Sequence, residues 1–170
     1  TDVQISSNAT EIVKAEWGID ESAHKLNDND IYTKYNGVIA EPSWFSQYFA
    51  ELLPLNIVEN VQVDFVLPAA QVLNKYVITT GNDNESRDPS GWSLSASNDG
   101  VSWTILDTNS LPNAPFASGQ SRLTNFSFDI EGNSAAYTFY RFTFENNQEG
   151  TGGDAGKLIQ LGEITLLSKQ

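Results

Sequence analysis

The sequence contains no cysteine and no methionine, and only nine of its 170 residues are lysine or arginine. Without cysteine, the chain can form no disulfide scaffold, no thiolate zinc site and no cysteine nucleophile. The 22 acidic residues outnumber the basic ones and give a formal net charge of −13. Nucleic acids and anionic membranes repel such a chain, and so few cations cannot line a basic groove. We therefore expect no nucleic acid partner.

Long apolar runs are also missing. No stretch approaches the roughly 18 apolar residues of a membrane span, so we expect no membrane insertion. Hydrophobic residues still make up 39% of the chain, which is enough for a buried core and too many for a disordered acidic tail. The length fits one domain, residues 1–170. Because the chain lacks methionine and begins at Thr1, we expect this domain to be cut from a longer protein.

Alternating apolar and polar residues predict β-strands along most of the chain. Residues 92–96 alternate strictly, and an Asn-Asp-Gly turn then leads to residues 101–106, which is a strong hairpin signal. Trp92 and Trp103 lie in these two strands in phase with apolar neighbours, so both are expected in the core. Further strands are predicted at residues 61–67, 76–80, 124–130, 136–144 and 158–167.

Helical patterns are short and confined to the region around residues 43–53. Many short strands separated by polar loops indicate an all-β fold, an antiparallel β-sandwich of the jelly-roll type with at most short helical turns. Long polar loops on such a scaffold are the usual places for binding residues. Three such loops stand out, at residues 23–44, 81–91 and 145–156.

One run carries a family resemblance. Residues 76–106 read YVITTGNDNESRDPSGWSLSASNDGVSWTIL. The tyrosine-led strand, the loop ending in Arg-Asp-Pro, and the Trp-x-Leu, Ser-Asn-Asp-Gly and Trp that follow resemble the discoidin-like, or coagulation factor C-type (F5/8 type C), domains. Within that family, the run resembles the bacterial carbohydrate-binding branch, the modules of family 32. Segments 24–35, 140–142 and 159–166 resemble further parts of these domains in the same order, so the resemblance covers residues 21–167.

The resemblance implies a galactose-binding-like β-sandwich without catalytic activity. Such modules are usually attached to secreted glycoside hydrolases, polysaccharide lyases or adhesins. The residues agree with a non-enzyme, because His24 is the only histidine and no G-x-S-x-G, P-loop or HExxH motif occurs. We expect a monomeric, secreted or cell-surface bacterial module that targets an attached enzyme or surface protein to a glycan. The alternative is an adhesin-type module that binds protein or peptide.

Oxygen donors in the first loop suggest a cation site. Asp28, Asp30 and Thr33 lie within six residues, and calcium prefers such ligands. The same residues are also typical of a solvated Asx turn. The resemblance implies a particular ligand set for Ca²⁺: the Asp28 carboxylate, Thr33, the carbonyls of Lys25 and Asp30, and Glu163 from the last strand. The ion would have a structural role, joining the first loop to that strand.

The resemblance also implies a ligand site where loops meet at one end of the sandwich, away from the calcium. Aromatic rings stack on sugar rings, while arginine, asparagine and aspartate bind the hydroxyls. The candidate ligand-binding residues are Tyr35, Trp44, Tyr48, Asn82, Asp83, Arg87 and Asn147. Arg87 could instead pair with Asp88 and lock its loop. The many acidic residues favour neutral glycans over anionic ones.

Helical spacing divides the four aromatic residues near position 45 into two pairs. Trp44 and Tyr48 lie on one side of a helical turn, and Phe45 and Phe49 lie on the next. One pair can therefore form a platform while the other is buried, or all four can belong to the core. Trp44 follows a Pro-Ser in a polar loop and is the expected exposed member.

Overall fold

The computed structural model describes residues 2–110, 122–148 and 157–168, which contain twelve β-strands and one short α-helix. The strands are β1 Gln4–Ser7, β2 Thr10–Lys14, β3 Ile19–Glu21, β4 Tyr35–Val38, β5 Val61–Gln71, β6 Leu73–Thr79, β7 Pro89–Ser97, β8 Thr104–Asn109, β9 Asn125–Asp129, β10 Tyr137–Asn147, β11 Leu158–Leu161 and β12 Glu163–Ser168. Helix α1 spans Phe45–Phe49, and 3₁₀ turns cover Ala15–Trp17, Ala23–Asn27, Ala50–Leu52 and Glu85–Arg87. No helix in the described residues is long and apolar enough to cross a membrane.

The strands form two layers. One layer is a five-stranded sheet in the order β1-β5-β10-β7-β8. The other consists of a four-stranded sheet, β11-β4-β2-β3, and a three-stranded sheet, β12-β6-β9. All pairings are antiparallel. The prediction of an all-β antiparallel sandwich is confirmed.

Alternating residues of the long strands fill the space between the layers. In β5, Val61, Val63, Phe65 and Leu67 are buried, and the residues between them are more exposed. These side chains join one large core with buried residues of β6, β7, β10 and β11. Such alternation is what a strand with one buried face requires.

A second, smaller cluster of buried residues surrounds α1. Phe45 and Phe49 of the helix pack with Ile12, Val38 and Leu158 from the strands of the four-stranded sheet. Because the helix is only five residues long, this packing rather than intrinsic helix propensity holds it in place. The cluster fixes the position of the residue that precedes the helix, Trp44.

A glycine between β11 and β12 controls the position of the last strand. A Cβ atom on Gly162 would lie 2.8 Å from the carbonyl oxygen of Thr80 and 3.2 Å from that of Thr79. The Gly162 N–H donates to the same Thr79 oxygen at 2.8 Å. Only glycine allows this close approach of two backbones, which brings the next residue, Glu163, under the first loop.

The hairpin between β7 and β8 is present, but its turn is longer than predicted. The Asp99 carboxylate accepts hydrogen bonds from the backbone of Val101 at 2.8 Å and of Ser102 at 2.7 Å, so β8 begins only at Thr104. Trp103 therefore precedes the strand and is only partly buried. Its ring lies 4.1 Å from the guanidinium carbon of Arg141. The prediction that Trp103 belongs to the core is wrong, whereas that for Trp92 is confirmed.

Candidate functional site

Polar side chains meet where the loop between β6 and β7 reaches the segment before β4. Lys34 Nζ donates to Asp83 Oδ1 at 2.8 Å and lies 3.7 Å from Glu21 Oε1. Asn36 Nδ2 donates to Glu21 Oε2 at 2.8 Å, and Gln160 Nε2 donates to the Asp83 carbonyl. We refer to Glu21, Lys34, Asn36, Asp83 and Gln160 as the loop-end network. Since Asn36 and Gln160 are paired residues of β4 and β11, the two strands anchor it.

Arg87 lies beside this network without a bonding partner of its own. Among the described residues its guanidinium makes no hydrogen bond or salt bridge, and its buried Nε has no acceptor. Its guanidinium carbon lies 6.0 Å from the centre of the Trp44 ring. Burial raises the pKa of Glu21, while the positive charges of Lys34 and Arg87 act to lower it. The site thus combines an aromatic ring, a cation with free donors and a nearby carboxylate.

The partner of Asp88 is Arg122, a residue that the sequence did not single out. Arg122 Nη1 donates to Asp88 Oδ1 at 3.0 Å, and Nη2 donates to Oδ2. Nη1 also donates to the Asp83 carbonyl at 3.2 Å. Burial raises the pKa of Asp88, and Arg122 opposes this shift. Because Arg122 locks the loop, the alternative in which Arg87 pairs with Asp88 is wrong.

The aromatic residues around α1 divide as their spacing predicts. Phe45 and Phe49 are buried, whereas Trp44 is half-buried and Tyr48 is exposed. The Trp44 ring centre lies 5.9 Å from that of Phe45, so the ring rests on the small core cluster. Tyr48 contacts Trp17 instead, at 6.3 Å between ring centres. Trp44 is therefore the aromatic ring that stands next to Arg87.

Two predicted ligand-binding residues lie inside the protein. Tyr35, the first residue of β4, is fully buried, and its hydroxyl bonds to Ser7 Oγ at 2.6 Å. Asn147, the last residue of β10, is buried and donates from Nδ2 to the Leu158 carbonyl at 2.7 Å. Neither side chain can reach a ligand on the surface, so both predictions are wrong. Asn82 and Asp83, by contrast, are exposed on their loop.

The residues proposed for calcium converge. Thr33 Oγ1 donates to the Asp28 carboxylate at 2.9 Å and to the Asp30 carbonyl at 2.8 Å. Glu163 is buried against Asp28, and its Oε1 has no hydrogen-bond partner. Burial, followed by the Asp28 carboxylate, raises the pKa of Glu163 to about 7. Lys25 Nζ lies 3.4 Å from Asp28 Oδ2.

This donor set fits a hard cation. Ca²⁺ takes six to eight oxygen ligands and accepts a mixture of carboxylates, hydroxyls and carbonyls. In the described parts of the chain, no three His, Cys, Asp or Glu side chains come together, so two carboxylates are the most that such a site can use. An orphaned, buried carboxylate oxygen on Glu163 facing Asp28 is the arrangement that a cation would satisfy.

The first loop and the loop-end network are joined through consecutive residues. Thr33 bonds to Asp28, and the next residue, Lys34, bonds to Asp83.

The fold resembles that of several solved bacterial domains, although the sequence identity to them is low. The sequence matches no protein-family model and no curated protein. A carbohydrate-binding module from Clostridium perfringens, in complex with GalNAc-β-1,3-galactose, has a TM-score of 0.65 at 12% identity over 98% of this chain and 95% of its own. Another module, from a family 31 glycoside hydrolase of that organism, has a TM-score of 0.68 at 14% identity over 97% and 91%. An F5/8 type C domain from Bacteroides fragilis has a TM-score of 0.65 at 14% identity over 99% and 92%. The chain thus has the discoidin-like fold of family 32 modules, as the sequence resemblance implied.

Proposed function

We propose that this chain is a non-catalytic carbohydrate-binding module whose glycan site lies at Trp44 and Arg87. The observation that carries the proposal is the guanidinium of Arg87, which has no hydrogen-bond or ion-pair partner among the described residues and lies beside a half-buried tryptophan ring. A charged group that the fold leaves unpaired is available to bind a ligand. The likeness to modules that include one with a bound disaccharide supports the same role.

Each residue type has a defined task in this site. The Trp44 ring offers its face to the C–H side of a sugar ring, and the Arg87 donors bind hydroxyl oxygens. Asp83 is held by Lys34 before any ligand arrives, which limits the side-chain ordering that binding requires. Asn82 and Asp83 supply exposed acceptors next to it. With Glu21 and Asp83 nearby, a neutral glycan is favoured over an anionic one.

We infer further that the module belongs to a secreted or cell-surface bacterial protein. There it acts as a monomer that holds an attached enzyme or adhesin close to polysaccharide. A site for one or two sugar rings buries little area, so we expect dissociation constants from about micromolar to millimolar, about −8 to −4 kcal/mol.

We also propose a structural Ca²⁺ bound by Asp28, Thr33, Glu163 and the carbonyl oxygens of Asp30 and Lys25. When bound, the ion supplies positive charge between two carboxylates that otherwise face each other. Asp28 and Glu163 come from the first loop and from β12, so the ion would join that loop to the last strand. Thr33 and Asp30 hold the turn that leads to Lys34.

Replacing Arg87 with alanine tests the glycan site. A hydrogen bond to a charged group contributes about 1.5–3 kcal/mol, so the affinity for a glycan found by array screening should fall about 10- to 100-fold. The melting temperature should fall by no more than about 4 °C, because among the described residues Arg87 loses only its contact with the Trp44 ring, which is worth at most about 1 kcal/mol. Lys75→Ala, which removes a partly exposed cation paired with Asp129 on β9, is the matched control. Calorimetric titration that finds equal affinity for wild type and Arg87→Ala would place the site elsewhere.

Chelation tests the calcium proposal. At a free concentration one hundred times the dissociation constant, an ion that binds only the folded chain adds about 2.7 kcal/mol. For a domain of this size, that raises the melting temperature by about 5–11 °C. Asp28→Asn should remove the difference between melts in calcium and in chelator, whereas Glu131→Gln, at an exposed acid outside the loop, should keep it. Identical wild-type melts in both buffers would contradict the proposal.

A further inference from the structure

A polar cleft of about 260 Å³ adjoins the loop-end network. The β2–β3 hairpin, the turn before β4 and the loop after β6 bound it, and its lining includes Asp20, Glu21, Tyr32, Lys34 and Asn82. Drug-sized ligands occupy pockets of about 300–1,000 Å³, so this cleft suits a single sugar ring. We propose that it is a second sugar subsite, and that the module binds two or more consecutive residues of a neutral glycan. This inference rests on the proposed function.

Tyr32 provides the stacking surface. Its side chain is 71% exposed, and its ring contacts no other aromatic ring within the described residues. The backbone around it is nevertheless fixed, because the Tyr32 N–H donates to Asp30 Oδ1 at 3.0 Å. The next residue, Thr33, is tied to Asp28. When the apolar face of a sugar covers an exposed aromatic ring, apolar surface is removed from water, which favours binding. Because the turn is already anchored, little backbone ordering opposes this gain.

The cleft and the Trp44–Arg87 site share a wall. Glu21 and Lys34 line the cleft and also belong to the loop-end network. Arg87 lies on the same loop as Asn82, which lines the cleft, and Asp83, which belongs to the network, and its charge acts on Glu21. A glycan chain that covers Trp44 and Arg87 with one residue can therefore reach Tyr32 with a neighbouring residue.

The charges of the cleft select the class of sugar. Asp20 and Glu21 contribute carboxylates. The one cation that lines the cleft, Lys34, is already paired with Asp83 at 2.8 Å and lies 3.7 Å from Glu21. Lys25, outside the lining, lies 3.9 Å from Asp20 and is shared with Asp28 at 3.4 Å, and His24 Nε2 bonds to Asp20 at 3.1 Å. A sugar carboxylate would meet two like charges with no free cation to offset them. The exposed Asn82 amide has both donors and an acceptor for hydroxyl or acetamido groups. The second subsite therefore takes a neutral hexose or N-acetylhexosamine and rejects a uronic acid.

The test compares short and long glycans on the full chain. Arrays of neutral mono-, di- and trisaccharides of galactose, glucose and their N-acetylated amines identify a bound monosaccharide and the oligosaccharides that contain it. Tyr32→Ala should weaken the oligosaccharides about tenfold and leave the monosaccharide unchanged, whereas Arg87→Ala should weaken both. Ile31→Ala, at an exposed neighbour outside the cleft, is the control and should bind as wild type does. An oligosaccharide with a uronic acid at the second position should bind no more tightly than the monosaccharide.

The outcomes separate the two proposals. If wild type binds monosaccharide through Arg87 and Tyr32→Ala binds oligosaccharides normally, the second subsite is overturned while the first site stands. Equal weakening of monosaccharide and oligosaccharide by Tyr32→Ala also overturns the second subsite. If wild type binds none of the arrayed glycans, the proposed function fails and this inference fails with it.

Discussion

Trp92→Ala is expected to lower the free energy of unfolding by about 3–5 kcal/mol, the usual cost of deleting a buried large aromatic side chain. Trp92 is 1% exposed and lies edge-on against Phe128, at 5.2 Å between ring centres. Its Nε1 donates to the Tyr76 hydroxyl at 2.9 Å. That hydroxyl still bonds to Asp107 and Asn109 after the substitution, so the loss comes mainly from the cavity. The melting temperature should fall by about 6–20 °C.

Trp103→Ala is the matched control for this result. The Trp103 ring is partly exposed and lies over Arg141, which keeps two hydrogen bonds to Asp64, at 2.7 and 2.8 Å. Losing an exposed cation–π contact costs about 0.5–1 kcal/mol. Urea unfolding of both variants should therefore separate them clearly. Equal losses would mean that Trp103 is a core residue, as the sequence pattern suggested.

Strand alternation predicted β5 and β10 because each of these strands has one buried face and one more exposed face. The predicted segment 61–67 falls within β5, and the segment 136–144 begins one residue before β10 and otherwise falls within it. The error at Trp103 arose from turn chemistry that alternation does not report. The Asp99 carboxylate binds two backbone N–H groups and extends the turn, so the phase of the pattern does not carry across it.

The short strand β4 was missed, and this explains the wrong prediction for Tyr35. Its four residues include Asn36 and Gly37, and all four are buried, so no alternation marks the strand. Its buried Asn36 donates from Nδ2 to Glu21, a contact across 15 positions of sequence, while its Oδ1 has no hydrogen-bond partner among the described residues. Asn147 was misplaced for a similar reason, because β10 continues into what was predicted as a loop.

The candidate site was only partly predictable. The resemblance pointed to Glu163 and to the loop with Arg87, although those two residues are 76 positions apart. The pairing of Asp88 with Arg122, by contrast, joins residues 34 positions apart that no motif connects. Neither local spacing nor composition indicates that Arg122, rather than Arg87, forms the ion pair with the buried Asp88 carboxylate.

Asp88→Ala is expected to cost about 3 kcal/mol, because it leaves the Arg122 guanidinium partly buried without its partner. Asp88 is 1% exposed, and the paired side chain retains some contact with solvent, so the lower end of the range for buried pairs applies. The melting temperature should fall by about 6–12 °C. Asp129→Ala breaks the exposed pair with Lys75, 3.2 Å apart, and should cost at most about 1 kcal/mol.

The same variant should also lose glycan affinity, although Asp88 touches no ligand in the proposed site. Arg122 ties Asp88 to the Asp83 carbonyl, so it holds both ends of the turn that presents Arg87. Without that tie, the turn can shift, and Arg87 loses its fixed position beside Trp44. Titrations well below the lowered melting temperature should show weakening comparable to Arg87→Ala. Full affinity in a destabilised Asp88→Ala protein would show that Arg87 is positioned without the Asp88–Arg122 pair.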